Sequence, residues 1–226
     1  MPPTKQAPTR QAITLKGSTN LVTEFFKYAA NTLVTPLKHT FVYTYYLSRI
    51  LFQRGVYPAD DFHMVKKYGQ TVLVTQDLAL ENYLEKILKQ VNKWLLTGSV
   101  TQLVLAIISK DSRVTMERWV FDVNLVNQPT ESAEPAPVKP ETEIQAEIRN
   151  ILKQIVSTVT FLPVIDEPTV FNILAYTSES ADVPADEWVD TDPLAIEASK
   201  SQQVKLRSFS TDVHRIEAMV AYRYEG

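Results

Sequence analysis

The chain contains no cysteine, five glycines and three histidines among its 226 residues. Without cysteine it has no disulfide framework and no thiolate-bound metal, which fits a reducing compartment. Its few glycines form neither a phosphate-binding loop nor a nucleophile elbow. His39, His63 and His214 lack the spacing of metal ligands, so we interpret each as structural. We therefore predict a non-enzymatic protein with no catalytic residue, no metal and no cofactor.

Strong charge and long apolar runs are also missing. The formal net charge is -3, and neither nucleic acid nor an anionic membrane is expected as a partner without clustered Lys and Arg. The longest apolar run, residues 103–108, is far below the roughly 20 residues that span a bilayer. The first residues carry charges and prolines but no apolar signal core. We expect a soluble, intracellular protein.

A hydrophobic content of 45% in 226 residues can bury a sizeable core. We predict one α+β domain over residues 13–226, preceded by a flexible, proline-containing tail at residues 1–12. The Ile13-Thr14-Leu15 triplet is predicted to form a short edge strand.

Residues 143–163 are predicted to form the centre of this domain. The spacing of Thr142 and Gln145 is that of a capping box at the start of a helix. Apolar residues then recur at steps of three and four, at Ile144, Ile148, Ile151, Leu152, Ile155 and Val159. The β-branched run from Ser157 favours a strand that Pro163 ends.

Two further helices are predicted. The first starts after Ser18 and uses an apolar face from Leu21 to Ala29; its pattern resumes only at Ile50 if the aromatic-rich segment 33–49 is excised. We interpret this segment as an atypical insertion, either genuine or a retained intron, and predict that its removal stabilises the protein. Asp77 is predicted to cap the second helix, which ends near Gly98.

The remaining patterns favour strands. Residues 62–68 and 71–75 are predicted as strand segments around Gly69, and residues 102–109 and 114–125 as a hairpin. Residues 127–141 are predicted as a surface linker, and residues 169–176 as a further strand. Strand-like alternation returns from Val204 to Tyr222.

Several motifs, in register over nearly the whole chain, resemble the HORMA family of the spindle assembly checkpoint. They are Ile-Thr-Leu-Lys-Gly-Ser at 13–18, Glu-Phe-Phe at 24–26, Gln-Arg-Gly-Val-Tyr-Pro at 53–58, Lys-Tyr-Gly at 67–69, Leu-Val-Thr-Gln-Asp-Leu at 73–78, Glu-Arg-Trp-Val-Phe-Asp at 117–122, Thr-Val-Thr-Phe-Leu-Pro at 158–163 and Val-Lys-Leu-Arg-Ser-Phe-Ser-Thr at 204–211. The resemblance implies a HORMA fold, with three helices on a mostly antiparallel sheet and a mobile C-terminal segment.

The resemblance also implies how the protein works. The strand at 169–176 would receive a partner peptide by β-augmentation, with Phe171, Ile173 and Tyr176 as its binding residues. Residues 177–226 would close over the peptide as a safety belt, and in an empty open state they would occupy the peptide's edge. The implied belt residues are Trp188, Val204, Leu206, Phe209, Met219, Val220 and Tyr222.

Partners are implied by the same resemblance. They are the kinetochore receptor mitotic arrest deficient protein one and the propeller-type activator of the anaphase-promoting complex, whose sequestration delays anaphase. Open and closed copies would associate through Lys153, Gln154 and Phe161, where Lys153 replaces the family's arginine. The implied locations are the nucleus, the kinetochores of unattached chromosomes and the cytoplasm. The alternatives are a HORMA subunit of a translesion polymerase and an enzyme whose site the sequence does not reveal.

Overall fold

The computed structural model describes residues 13–15, 40–67, 70–125, 140–210 and 214–224. Three α-helices lie in this part of the chain: α1 (Thr40–Gln53), α2 (Leu78–Leu96) and α3 (Glu141–Val159). The strands are β1 (Ile13–Leu15), β2 (Phe62–Lys67), β3 (Gln70–Thr75), β4 (Val100–Ser109), β5 (Thr115–Leu125), β6 (Thr169–Thr177), β7 (Trp188–Asp190), β8 (Ser201–Lys205), β9 (Phe209–Ser210) and β10 (His214–Arg223). None of the described helices is long and apolar enough to cross a bilayer.

Eight strands form one sheet in the order β7-β1-β6-β4-β5-β10-β8, with β9 also paired to β10. Every described pairing in it is antiparallel. One face packs against the helices in the main core, which includes Trp94, Trp119, Phe121 and Ile155. The opposite face carries a second buried cluster, formed by Val104, Ala106, Ile108, Val120 and Leu174. Burial of both faces explains why β4 is almost continuously apolar rather than alternating.

The second predicted helix, the two strand segments around position 69 and the predicted hairpin are confirmed. Asp77 caps α2, where its Oδ1 accepts hydrogen bonds from the N–H groups of Ala79 and Leu80 at 2.7 and 3.3 Å. Gly98 follows the helix with a φ of 65°, the left-handed conformation that suits glycine there. The β2–β3 and β4–β5 pairs form the two antiparallel hairpins. Strong local signals were sufficient for these elements.

The predicted boundaries of the central helix were wrong at both ends. Pro140 precedes the first helical residue, and its carbonyl accepts hydrogen bonds from the N–H groups of Glu143 and Ile144, with no side-chain cap. At the other end α3 continues to Val159, so the strand predicted from Ser157 is absent and a turn follows. Thr158 is buried and extends the buried helical face, so tertiary packing overrides the β-branched propensity.

The helix expected to resume at Ile50 instead begins at Thr40, inside segment 33–49. Leu47, Ile50 and Leu51 are fully buried in the main core, and their spacing of three and four residues places them on one face of α1. The sequence interpretation missed this because it assigned Leu47 to the insertion. The predicted tail at 1–12, the predicted helix from 21 to 29 and most of the predicted linker at 127–141 lie outside the described residues.

Candidate functional site

The candidate site is the backbone edge of β6 that faces away from β4. One edge of this strand pairs with β4 and the other with β1. Phe171 and Ile173 are buried in the main core, whereas Tyr176 packs against the opposite cluster and its hydroxyl lies 3.3 Å from Nη2 of Arg118. These side chains therefore support the sheet. What β6 offers to a partner strand is its backbone edge.

Tyr57 and Tyr83 pack against Phe171 of β6. Their rings meet the Phe171 ring edge-on, with centroid distances of 6.0 and 5.7 Å. Burial, together with the nearby Asp77 and Asp61 carboxylates, raises the pKa of Tyr57 to about 12. The Tyr57 hydroxyl consequently stays neutral at physiological pH, which suits its place beside the core.

Strand β1 lies between β6 and β7 and is antiparallel to both. Ile13 stands opposite Ala175 of β6 and Asp190 of β7, and Leu15 stands opposite Trp188. A strand flanked in this way can exchange backbone hydrogen bonds on both of its edges. The chain's own residues 13–15 thus fill the edge that the resemblance assigns to a partner peptide.

Residues 182–188, which lead into β7, are held in place by contacts with α2. Trp188 is buried, and its ring meets that of Trp94 at a centroid distance of 4.9 Å and an interplanar angle of 67°. The Trp94 indole N–H donates to the Asp182 carbonyl at 2.8 Å. Lys86 Nζ and Glu187 Oε1 lie 3.3 Å apart. Together these contacts hold β7 alongside β1 without using β1 itself.

The C-terminal strands lie at the other end of the sheet. β10 pairs along β5, and β8 pairs with the outer edge of β10, with Val204 opposite Val220. Leu206 N–H donates to the Ala218 carbonyl at 2.8 Å. The described residues 204–210 and 214–222 therefore do not occupy the β6 edge. Of the other predicted belt residues here, Phe209 is buried in the main core, Met219 packs on the second cluster, and Tyr222 donates to Gln202 Oε1 at 2.8 Å.

Two side chains of α3 hold the link between β8 and β10. Gln154 Oε1 accepts a hydrogen bond from Arg207 N–H at 2.6 Å, and Glu147 Oε2 accepts one from Ser210 N–H at 3.0 Å. The two acceptors are about two helical turns apart and therefore share a face. The sequence analysis did not identify Glu147 as a functional residue, and its only signal was this spacing from Gln154.

The predicted self-association residues lie at the end of α3 and in the turn after it. Lys153 is exposed, Phe161 is 57% exposed and the nearby Val164 is 78% exposed. Gln154 is partly buried, since it contacts the 207–210 link. Apolar side chains this exposed are candidates for a protein contact, and the assignment to self-association stays a prediction.

A buried ion pair that the sequence analysis missed connects this turn with α1 and β5. Arg54 Nη2 lies 2.5 Å from Glu117 Oε1, with side-chain exposures of 6% and 2%, and the same nitrogen donates to the Pro163 carbonyl at 2.6 Å. Trp119 Nε1 donates to Glu117 Oε2 at 3.0 Å. Burial raises the pKa of Glu117, against the opposing effects of Arg54 and the Trp119 hydrogen bond. The only sequence signal was that both charges lie within the Gln-Arg-Gly and Glu-Arg-Trp motifs.

Within the described ranges, no three His, Asp or Glu side chains come together in a way that could hold an ion. His63 is exposed, and a ring nitrogen of His214 lies 3.2 Å from the Leu95 carbonyl. His39 lies outside the described residues.

Residues 18–214 match the family model of the HORMA domain. A mitotic spindle assembly checkpoint protein, MAD2A, of Dictyostelium discoideum is 46% identical over 211 residues, covering 93% of this chain and 93% of that protein. The human protein of the same name is 38% identical over 213 residues, covering 94% of each. A chain from a crystal structure of the mitotic checkpoint complex superposes with a TM-score of 0.73 at 41% identity, covering 81% of this chain and 96% of that one.

A more distant match concerns the polymerase alternative. The DNA polymerase zeta processivity subunit of Schizosaccharomyces pombe is 36% identical over 77 residues, covering 34% of this chain and 36% of that protein. This likeness is partial, whereas the checkpoint proteins match over nearly their full length.

Proposed function

This chain belongs to the HORMA domain family, and on that premise we propose that it acts in the spindle assembly checkpoint as a non-enzymatic, two-state switch that captures partner peptides. The observation that carries the proposal is the placement of the C-terminal segment. Its last strand, β10, pairs with β5, while its β7 part lies beside β1, one strand away from β6. One continuous segment thus encloses the edge and docks elsewhere on the sheet, as a belt requires.

The captured ligand is an extended peptide that adds a strand to β6. Backbone hydrogen bonds alone give modest affinity, because each contributes about 0.5–1.5 kcal/mol net while ordering each residue costs about 1–2 kcal/mol. Slow release must therefore come from enclosure by the belt. In the open state the C-terminal strands leave β5 and take the β6 edge, so ligand capture and belt movement are coupled.

The partners we propose are the kinetochore receptor mitotic arrest deficient protein one and the propeller-type activator of the anaphase-promoting complex. Sequestering the activator delays anaphase. The locations we propose with this role are the nucleus, the kinetochores of unattached chromosomes and the cytoplasm. Support comes from the likeness to checkpoint relatives over nearly their whole length.

The test is a chain that ends after Glu217. It loses Met219, Val220 and Tyr222, and with them the part of β10 that pairs with β8. We expect the shortened chain to fold on its helices and on β4, β5 and β6 but to release a labelled receptor fragment, because a ligand shifts the equilibrium only by its differential affinity for the two states. Size-exclusion chromatography with the labelled fragment measures retention, and circular dichroism checks folding.

Retention at the parental level by a folded, shortened chain would refute the belt mechanism. A matched control is the chain that ends after Tyr224, which leaves every described strand intact. A fragment from a translesion polymerase catalytic subunit, run in parallel, tests the alternative function. If the protein co-elutes preferentially with that fragment, the polymerase-subunit function is favoured over the checkpoint function.

A further inference from the structure

The 207–210 link lies between β8 and β10 and is bound to α3 through backbone N–H groups. We propose that Glu147 is a positioning residue for the belt, which favours the closed arrangement by holding this link on the helix. This inference rests on the proposed function, because it concerns the same movement of the C-terminal strands. It adds which side chain sets the balance between the open and closed states.

Two acceptors on α3 contact the link on either side of one buried side chain. Glu147 Oε2 accepts a hydrogen bond from Ser210 N–H at 3.0 Å, and Gln154 Oε1 accepts one from Arg207 N–H at 2.6 Å. Phe209, which lies between these two donors, is buried in the main core. The link is therefore fixed to the helix both by its backbone and by its aromatic side chain.

The position of Glu147 on α3 makes its carboxylate an effective acceptor. Ile151, which is fully buried, lies four positions after Glu147 and three before Gln154, a spacing that places all three on one helix face. Glu147 is itself half-buried, so its hydrogen bond is partly shielded from competing water. A hydrogen bond to an ionised acceptor is roughly twice as strong as one between neutral groups. Glu147 is therefore expected to contribute more than the neutral Gln154.

The hydrogen bond to Glu147 belongs to the closed arrangement. Ser210 stands opposite Arg215 of β10, and β10 pairs with β5 from residue 214 to residue 222. In the proposed open state, β10 leaves β5 and takes the adjoining link away from α3. A contact that is made in one state and lost in the other shifts the balance by its own free energy. A hydrogen bond to a charged group corresponds to a shift of about tenfold or more in that equilibrium.

Full-length chains that carry Glu147→Ala, Glu147→Gln or Glu85→Ala test this role. Alanine removes the acceptor, whereas glutamine keeps an oxygen at the same position along the side chain but loses the charge. Glu85→Ala is the matched control, because it makes the same change at an exposed position of α2. Leu47→Ala is a second control, since it removes a buried side chain of α1, outside the belt, and lowers stability through the core.

Amide hydrogen exchange followed by NMR is the first measurement. Val220 is fully buried in β10, opposite Trp119 of β5, so its N–H exchanges when β10 separates from the sheet. We expect this exchange to be about tenfold faster in Glu147→Ala than in the parent, and less accelerated in Glu147→Gln. Both controls should exchange at the parental rate, because neither changes the balance between the open and closed states.

Dissociation of a labelled receptor fragment, chased with unlabelled fragment, is the second measurement. Release requires the belt to open, so it should also be about tenfold faster from Glu147→Ala and unchanged in both controls. Exchange of Val220 at the parental rate in a folded Glu147→Ala chain would overturn the inference. Equal acceleration in Glu147→Ala and Leu47→Ala would also overturn it, because a general loss of stability would then explain the effect.

The two measurements separate this inference from the proposed function. If no chain binds the receptor fragment, faster Val220 exchange in the Glu147 variants leaves the role of Glu147 standing and shows that the proposed partner is wrong. Faster exchange with dissociation at the parental rate contradicts the belt mechanism but not the hold of Glu147 on β10.

Circular dichroism and melting temperatures establish that the variants fold. Should Glu147→Ala not fold, Glu147→Gln replaces it, with an expected acceleration that is smaller than about tenfold but larger than in both controls. Exchange of Val220 at the parental rate in Glu147→Gln then overturns the inference.

Discussion

Leu47 provides the sharpest test of the structure, because its side chain belongs to segment 33–49 and is nevertheless fully buried. Replacing it with alanine removes apolar atoms from the contact that α1 makes with the rest of the main core. If residues 40–49 form the helix in the folded protein, Leu47→Ala must leave a cavity. If the segment is looped out of the fold, the same change should have almost no effect.

The expected magnitude follows from burial. Leucine-to-alanine changes at fully buried sites cost about 2–5 kcal/mol, from lost transfer free energy plus the residual cavity. For a chain of this size, each kcal/mol lowers the melting temperature by roughly 2–4 °C. The variant should therefore melt roughly 4–20 °C below the parent.

Differential scanning calorimetry and urea denaturation measure the effect, and Leu96→Ala is the matched control. Leu96 also lies in a helix but is 66% exposed, so its replacement should change stability by less than about 0.5 kcal/mol. Equal melting of the two variants would refute the placement of Leu47 in the core.

The same residue changes the expectation for deleting segment 33–49. Deletion joins Thr32 to Ile50 and places Ala30 three positions before Ile50, where Leu47 stands now. The deletion chain consequently loses a fully buried leucine side chain. We expect it to melt below the parent, which reverses the gain predicted from the sequence pattern alone.

Two further predictions concern the charges and the exposed turn. Arg54→Met leaves the buried Glu117 carboxylate without its cation, so we expect a loss of about 3–5 kcal/mol at neutral pH, against at most about 1 kcal/mol for the exposed Arg215→Met control. The folded-state pKa of Glu117 is above its unfolded value, so the folded chain binds more protons between these two pKa values. The contribution of Glu117 to stability therefore falls as pH rises through that window. Urea titrations should show a smaller stability loss from Arg54→Met at low pH than at neutral pH, and an equal loss at the two would contradict the placement of Glu117 beside Arg54. Phe161→Ala should weaken self-association in light scattering while leaving receptor-fragment binding intact, because Phe161 is 57% exposed, whereas Gln154 also holds the link after β8. Pairing at the parental level would show that this surface is wrongly assigned.

Elements with strong local signals could be predicted from the sequence. Asp77 before an apolar helical repeat and the turn residues between β4 and β5 specify their structures within a few neighbouring residues. The run from Ser157 was misread because its β-branched residues favour a strand locally, whereas burial of Thr158 favours the helix. Segment 33–49 was misread because the apolar repeat before it competes with Leu47 for the same helical position.

The candidate site could not be predicted from patterns among neighbouring residues. Ile13 of β1 lies between Ala175 of β6 and Asp190 of β7. These three residues are far apart in the sequence and are brought together only by the order of strands in the sheet. Likewise, the hydrogen bond from Arg207 to Gln154 links residues whose spacing carries no local pattern. The resemblance supplied the edge strand and the belt, but not the occupant of the edge.

The structure also indicates why the two parts of the belt should move together. Residues 191–200 connect β7 with β8, and within them Ile196 is buried and Leu194 packs on the second cluster. Leu194 has a φ of 49°, a left-handed conformation that is unfavourable for leucine and persists only where its surroundings enforce it. If β10 left β5 and took β8 with it, Met219 would leave the same cluster, and the cluster on which Leu194 packs would lose one of its side chains. Release of the C-terminal strands would therefore weaken the packing around the connection to β7, the strand that pairs with β1.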